Sequence, residues 1–409
     1  MTSRPDAAQI HAEAAAPFEL EAQRLLPSDT EIIDAHTHLG TDEDGRSLDL
    51  QQLLSLLDQA SAARACVFPL NDPQRVPAYR APNDAVLRAA AESDRRLVPF
   101  CRLDPAEEPV KEAERCLAAG AKGIKLHPRE QAFTLEGQEI NAIFKLAEDA
   151  KVPVLIHAGR GLPPIADGLV DLALKHPDAT LILAHAAICD QGIITARLKD
   201  HLRIIYDTSC FFPIDVIQLL SRVPPERLVF ASDPPYGLPV AGLYLALRVA
   251  SQAGFDSWAR RAVLGHTIAG LLEDGELPEL SPPRRGRHLT LSGRLARIYT
   301  YVSVAGPAML SGSTQQAIAM LELAVSACRD PRPGADEEAL EIIGKALEAV
   351  SALLQRTDEE KSSLRLAFDL LYRSLVHAAT EVTDAEMLEA EIEAEELPAS
   401  VQAAFEANR

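Results

Sequence analysis

The chain has 409 residues, 47% hydrophobic and 24% charged, and its 40 Lys and Arg are outnumbered by 60 Asp and Glu for a formal charge of −20. Nucleic acids and anionic membranes are poor partners for such a chain, because phosphate binding draws on clustered Lys and Arg, and the one basic cluster, Arg284, Arg285 and Arg287, is short. Six scattered cysteines with no C-x-x-C pair, no run near ~20 apolar residues and no basic-then-apolar N-terminus argue against a disulfide scaffold, a membrane span and a secretory signal, so a soluble cytoplasmic protein is expected.

In chain order, residues 1–30 read as a helical lead. From residue 31, short Val-, Ile- and Leu-rich runs alternate with amphipathic stretches, the rhythm of repeated strand and helix units. Eight strands are predicted: EIIDAHTH (31–38), ARACVFPL (63–70), RLVPFCRL (96–103), AKGIKLHP (121–128), VPVLIHAG (152–159), TLILAHAA (180–187), RIIYDTSC (203–210) and RLVFASDP (227–234). Intervening stretches such as SLDLQQLLSLLDQA, EPVKEAERCLAA and GQEINAIFKLAEDA place apolar residues at helical spacing. Eight parallel strands with outer helices predict an α/β fold, a (β/α)8 TIM-like barrel over 31–280 whose active site lies at the C-terminal strand ends. An open doubly wound sheet would carry a Gly-rich first turn, and the first turn here is HTHLG.

The composition changes at SPPRRGRHL (281–289). Beyond it Ala, Leu and Glu recur at helical period, which predicts a small all-α annex over 281–409, an up-and-down bundle that drives oligomerisation or covers a neighbouring active site, with binding of a regulatory partner as the alternative. Its final stretch, EVTDAEMLEAEIEAEE, has eight acids and no base and reads as a frayed helix or solvated tail.

Inward-facing barrel positions are normally apolar, yet these strands end in His36 and His38, His127, His157, His185 and Asp233. Strand side chains alternate faces, so His36 and His38 project to one side. Two imidazoles at a barrel mouth suit one metal ion. His157 from strand five and Asp233 from strand eight complete the set, because barrel closure makes strands one and eight neighbours. A lone buried histidine is usually a satisfied core residue, but His36, His38, His157, His185 and Asp233, five positions at the ends of strands one, five, six and eight, form a pattern.

DAHTH, GIKLHP, LIHAG, LAHAA and FASDPPYG, in this order over roughly 30–275, resemble the amidohydrolase superfamily of metal-dependent barrel hydrolases. Strands four to eight look most like the branch that includes aminocarboxymuconate semialdehyde decarboxylase. The resemblance implies that His36, His38 and His157 are metal ligands, that Asp233 ligates or takes a proton from water, and that His185 bonds that water or polarises the substrate. Asp233 alternatively caps a turn before Pro234, and His185 alternatively donates to a backbone carbonyl. Lys125 stands where binuclear members carry a carboxylated, metal-bridging lysine. The decarboxylase-like branch is mononuclear, so one Zn2+ per chain is favoured, two requiring carboxylated Lys125; otherwise Lys125 holds a substrate carboxylate or is structural. His127 contacts substrate or fills the mouth. Arg160, on the loop after His157, is a candidate for an anionic substrate group. His266 in GHTIAGLL replaces a family Asn and reads as a helix-start residue.

The expected activity is metal-dependent hydrolysis of a C–N or C–O bond in a small carbonyl compound by metal-activated water. Non-oxidative decarboxylation of an unsaturated or aromatic carboxylate is the alternative, and a non-catalytic binding or scaffold barrel is a third reading. The expected partners are a small-molecule substrate and a second copy of the chain, a homo-oligomer held through the C-terminal helices.

Overall fold

The computed structural model describes residues 6–220, 222–273, 275–283, 293–329, 336–356 and 360–380. The chain divides into two compact units, one over residues 18–287 and one combining residues up to 17 with those from 288 onward. Most of the 281–289 junction and all of the acidic stretch 381–396 lie outside the described residues. No helix among the described residues is long and apolar enough to cross a membrane.

In the larger unit every predicted strand contains an observed one. These are β1 (Ile33–Thr41), β2 (Ser47–Leu48), β3 (Arg64–Pro69), β4 (Leu97–Pro99), β5 (Cys101–Arg102), β6 (Ile124–Leu126), β7 (Val154–Ile156), β8 (Leu181–Leu183), β9 (Ile204–Asp207) and β10 (Leu228–Val229). β2 is an unpredicted hairpin partner, antiparallel to β1; every other pairing is parallel.

The expected closed cylinder is instead two sheets, β2-β1-β3-β4 and β10-β9-β8-β7-β6-β5. The predicted third strand splits at Phe100, whose N–H bonds Val67 on one side (2.8 Å) while the N–H of Cys101 bonds Gly123 on the other (3.0 Å). Between first and last strands there is no assigned ladder, only single backbone bonds: Ala35 N–H to Phe230 O (2.9 Å), Asp233 N–H to His36 O (2.8 Å) and His38 N–H to Pro234 O (3.2 Å). The predicted sixth strand also stops early. After Leu183 the chain enters a tight turn, Ala184–Ala187, with His185, Ala186 and Ala187 at φ of 56°, 54° and 52°.

Alternation sorts the side chains into two apolar layers. Ile33, Ala35, Cys66, Phe68, Phe100, Leu155, Ile182, Ile205 and Val229 form the inner cluster. Leu39, Ala65 and Val67 face the other way, against helical residues such as Leu53, Leu56 and Leu57. Those three lie on helix Leu50–Gln59, which starts at a reciprocal Asp49/Gln52 capping box.

One irregularity bears directly on function. Pairing of β1 with β3 runs Ile33↔Arg64 and Asp34↔Ala65, then resumes at Thr37↔Val67 and His38↔Phe68. Three residues of β1 thus span two of β3, a bulge with one extra residue. Before it the inward residues are Ile33 and Ala35, so unbroken alternation would turn Thr37 and Leu39 inward and send both histidines outward. The extra residue reverses the faces.

The smaller unit contains helices Gly293–Leu310, Thr314–Cys328, Glu337–Leu354 and Glu360–Thr380. Each buries apolar residues at three- and four-residue spacing, for example Leu295, Ile298, Val302 and Ala305, or Ile343, Ala346, Leu347 and Val350. His11, on helix Ala7–Leu25, meets the buried Asp369 at 2.7 Å, and Arg373 Nε donates to the same carboxylate oxygen at 2.9 Å.

His266 is exposed and ends a single π-turn, Ala262–His266, just before helix Thr267–Glu273. Gly265 inside that turn passes so close to the foot of β1 that a Cβ would lie 2.0 Å from Glu31 O. The obstacle is backbone and cannot swing aside. Gly265→Ala should therefore cost about 1–3 kcal/mol of barrel stability, read as a lower denaturant midpoint; an unchanged midpoint would show that the helix and strand separate freely.

Candidate metal centre

The strand ends bring most of the predicted residues together. His36 and His38 come from β1, within and just beyond the bulge, and Asp233 from the turn after β10, where it takes a left-handed φ of 57°. The turn is tight: a Cβ on Gly237 would lie 2.0 Å from Ser232 O. Asp233 Oδ1 sits 3.2 Å from His36 Nε2 and 3.1 Å from His38 Nε2. The three residues form a group whose ligand atoms all lie within 4.8 Å of one another.

The hydrogen bonds on the far sides of the rings fix where their protons are. His36 Nδ1 lies 2.7 Å from Asp207 Oδ2, an acceptor, so Nδ1 carries the proton and Nε2 presents its lone pair. His38 Nδ1 faces Pro69 O at 3.5 Å and its Nε2 faces Asp233 Oδ1 at 3.1 Å, both acceptors; the Nδ1–H form is the one that frees Nε2 for a cation. Two imidazole nitrogens and a carboxylate oxygen therefore converge as candidate ligand atoms. Such a donor set fits a divalent cation, and the Asp207–His36 pair is the carboxylate–imidazole arrangement that orients metal-binding histidines.

Electrostatics agree. Burial pushes His38 down to about 3, aided by His36 and Lys125 and only partly opposed by Asp233, which keeps its ring neutral. For His36, burial and Lys125 push downward, but Asp233 and Asp207 prevail and raise its affinity for a positive charge at Nε2. Burial favours the acid form of Asp233, yet His36, His38 and His185 hold it well below the usual carboxylate range. Asp207 is likewise held down at about 2, His36 outweighing burial.

A second chain of tautomers runs through β7 and β8. His185 Nδ1 lies 2.8 Å from Ser209 O, again an acceptor, so Nδ1 is protonated and Nε2 accepts. The atom facing Nε2 is His157 Nδ1 at 3.1 Å, which must donate. His157 Nε2 is thereby left as a bare lone pair, and it is buried without a hydrogen-bond partner. Burial, then His185 and Lys125, lower the pKa of His157 well below the ordinary value, and burial also lowers that of His185. Gly159 makes room for both rings, since a Cβ there would lie 2.7 Å from His185 Cδ2 and 3.0 Å from His157 Cε1. His157 stands outside the group formed by His36, His38 and Asp233 and is joined to it through His185, whose ring centre is 5.3 Å from that of His36.

Lys125 is fully buried on β6, its Nζ 3.4 Å from His36 Nε2 and 4.6 Å from the centre of the Phe68 ring. Burial lowers its pKa to about 7 against the pull of Asp233 and Asp207. His127 stacks on His157, centres 3.8 Å apart and planes at 9°, and its Nδ1 accepts the N–H of Glu130. Arg160 is not drawn into the cluster: its side chain is 60% exposed, donates to Asp215 at 2.9 Å and lies over Phe212.

Sequence reasoning passed over the supports. Asp207 and Ser209, at the end of the seventh predicted strand, read from the sequence as pocket-lining residues or, for Asp207, as a turn cap, with no role in orienting histidines. In the structure Asp207 Oδ1 accepts the N–H of His185 (2.7 Å), the N–H of Ser209 (3.1 Å) and the Ser209 hydroxyl (2.6 Å), while Oδ2 orients His36. Asp34, two residues before the first histidine, and Arg102, at the end of β5, also went unremarked; both are fully buried. The available signal was a charged residue inside a strand otherwise made of Ile, Ala, Phe and Cys.

The family model described as amidohydrolase matches residues 33–272. Solved structures similar to the chain include a probable 2-pyrone-4,6-dicarboxylic acid hydrolase from Acinetobacter baumannii with citric acid bound (17% identity, 59% of this chain and 99% of that one, TM-score 0.45). Others are 5-carboxyvanillate decarboxylase from Sphingomonas paucimobilis (13%, 60% and 99%, 0.46) and a dihydroxybenzoic acid decarboxylase from a Polaromonas species with manganese and 2-nitroresorcinol (15%, 60% and 98%, 0.47). A search of curated proteins found no match. With the family's pattern running from the first residue of β1 through helix Thr267–Glu273, the chain belongs to the amidohydrolases, a family of enzymes.

Proposed function

We propose that this chain is a metal-dependent hydrolase that cleaves a C–N or C–O bond of a small carbonyl compound with activated water. The observation that carries the reading is the convergence of His36 Nε2, His38 Nε2 and Asp233 Oδ1, three ligand-type atoms gathered at the strand ends. His157, with its buried and unpartnered Nε2, is a further candidate nitrogen ligand. Zinc, one per chain, suits an imidazole-rich set with one carboxylate. When bound, the cation supplies Lewis acidity that polarises a substrate oxygen and acidifies water.

The chain's own residues handle the protons. Asp233, kept ionised by the surrounding imidazoles, accepts a proton from the attacking water and returns it to the leaving nitrogen or oxygen. His185 is held as the Nδ1–H tautomer by Ser209 O; its Nε2 accepts from His157 Nδ1 and exchanges a proton or bonds with substrate once that contact opens. Asp207 fixes the His36 tautomer and the His185 backbone at once, so a single carboxylate aligns a metal-site ring with a proton-transfer ring.

One observation favours decarboxylation as the second reading. Lys125 is a fully buried cation beside the site and suited to a substrate carboxylate, with its register partner Arg102, which pairs with Glu130, on the adjacent strand. A cytoplasmic location and a homo-oligomer formed through the C-terminal helices belong to the same proposal; the six cysteines without disulfides accord with the former.

Elemental analysis of protein purified without chelator should give about one divalent metal per chain. About two would favour a carboxylated Lys125, and none would contradict the reading. A panel of lactones, amides, esters and aromatic acids, followed by pH change and by CO2 release, separates hydrolase from decarboxylase.

Asp233→Asn should lower turnover by about 10²–10⁴-fold. Asp207→Asn should weaken metal affinity or activity by about 10- to 100-fold. Equal activity in either variant would remove that carboxylate from the mechanism.

A further inference from the structure

The bulge in β1 creates a hydrogen-bonding problem that one side chain solves. Every buried N–H in a strand needs an acceptor. At the seam between β1 and the last strand, Ala35 N–H goes to Phe230 O, Asp233 N–H to His36 O and His38 N–H to Pro234 O. Phe230 N–H is taken by Val263 O and Ala231 N–H by the Thr208 hydroxyl. Two N–H groups at the seam find no such partner, that of His36 in the bulge and that of Ser232 opposite. Asp34 Oδ1 accepts both, each at 3.1 Å, and Oδ2 accepts the Ser232 hydroxyl.

Asp34 is fully buried and pairs in register with Ala65, which belongs to the outer layer, so it sits behind the inward-facing cluster rather than among the ligands. Its position is nonetheless decisive. Its contacts are His36, inside the bulge, on one strand and the residue before Asp233 on the other. Loss of the extra residue would restore simple alternation and rotate His36 and His38 out of the barrel.

We propose that Asp34 is a positioning residue: its carboxyl group clamps the β1 bulge to the Ser232–Asp233 turn, and so holds the two histidines and the aspartate of the metal centre in one geometry. The clamp acts through backbone and hydroxyl groups and does not touch substrate. Its functional part rests on the metal-dependent reading above; its structural part does not.

Two measurements on the full chain keep these parts separate. The first is amide hydrogen exchange on metal-free protein. Asp34→Ala should accelerate exchange by more than about tenfold in both 33–41 and 229–238, with the other strands unchanged. Asp34→Asn, which keeps one acceptor oxygen for the two N–H groups, should stay within about threefold of the parent. Should Asp34→Ala fail to fold, Ser232→Ala removes the hydroxyl half of the clamp and should accelerate both segments more weakly. Unchanged exchange, or acceleration in only one segment, overturns the clamp.

The second is Co2+ titration followed by the visible d–d absorption. Asp34→Ala should weaken affinity by about 10- to 100-fold and alter the spectrum, with Asp34→Asn restoring both. Gly265→Ala, which loosens the barrel without touching the bulge, should leave affinity and spectrum as in the parent. Parent-like affinity and spectrum in Asp34→Ala, or an equal loss in Gly265→Ala, overturns the positioning role. Failure of the unsubstituted chain to bind Co2+ would defeat the metal reading and the positioning role together, while the exchange data would still decide the clamp.

Discussion

Lone pairs repel, and a folded chain gathers them in a buried place only if something positive joins them. His36 Nε2, His38 Nε2 and Asp233 Oδ1 are gathered in that way, with the His36 proton committed to Asp207 on the far side of its ring and Lys125 Nζ 3.4 Å from His36 Nε2. Much of the surrounding structure serves this convergence. Asp207 fixes a ring, the bulge turns two side chains inward, Gly237 permits the turn that presents Asp233, and Gly159 clears space for His157 and His185.

The site concentrates local conformations that are costly elsewhere. Asp233, His185, Ala186 and Ala187 all adopt left-handed backbone angles, which cost a non-glycine residue about 1–2 kcal/mol each. Lys125 is buried beside imidazoles, with a pKa brought down to about 7. Strain of this kind persists where the surroundings over-determine it, and it clusters where geometry has a use. The same features explain why the regular ladder is short here: strands six and eight give way to turns just where their side chains enter the centre.

Much of this was legible in the sequence. Eight Val- and Ile-rich runs located the strands, because a strand buried on both faces must be apolar throughout, and histidines or an aspartate at their ends marked the functional rim. The bulge was not legible. H-x-H states that two side chains share a face, and only the pairing of Asp34 with Ala65 and Thr37 with Val67 states which face. The tautomers were equally hidden, since they depend on carbonyls such as Ser209 O that carry no residue-type signal. Arg160 misled for the opposite reason: a cation on a strand-end loop is a reasonable anion ligand until Asp215, 55 positions away, pairs with it. Continuous closure of the barrel also lay beyond pattern reading, because it turns on how Phe100 and the residues after Val229 share their backbone bonds.

The central claim is that the three converging acceptors hold a cation. The most direct measurement is a crystal structure of the zinc- or cobalt-loaded protein with anomalous diffraction. The account predicts one strong anomalous peak about 2.0–2.2 Å from His36 Nε2, His38 Nε2 and a carboxylate oxygen of Asp233. A peak elsewhere, or these three side chains hydrogen-bonded to one another with no metal between them at saturating concentration, would contradict it.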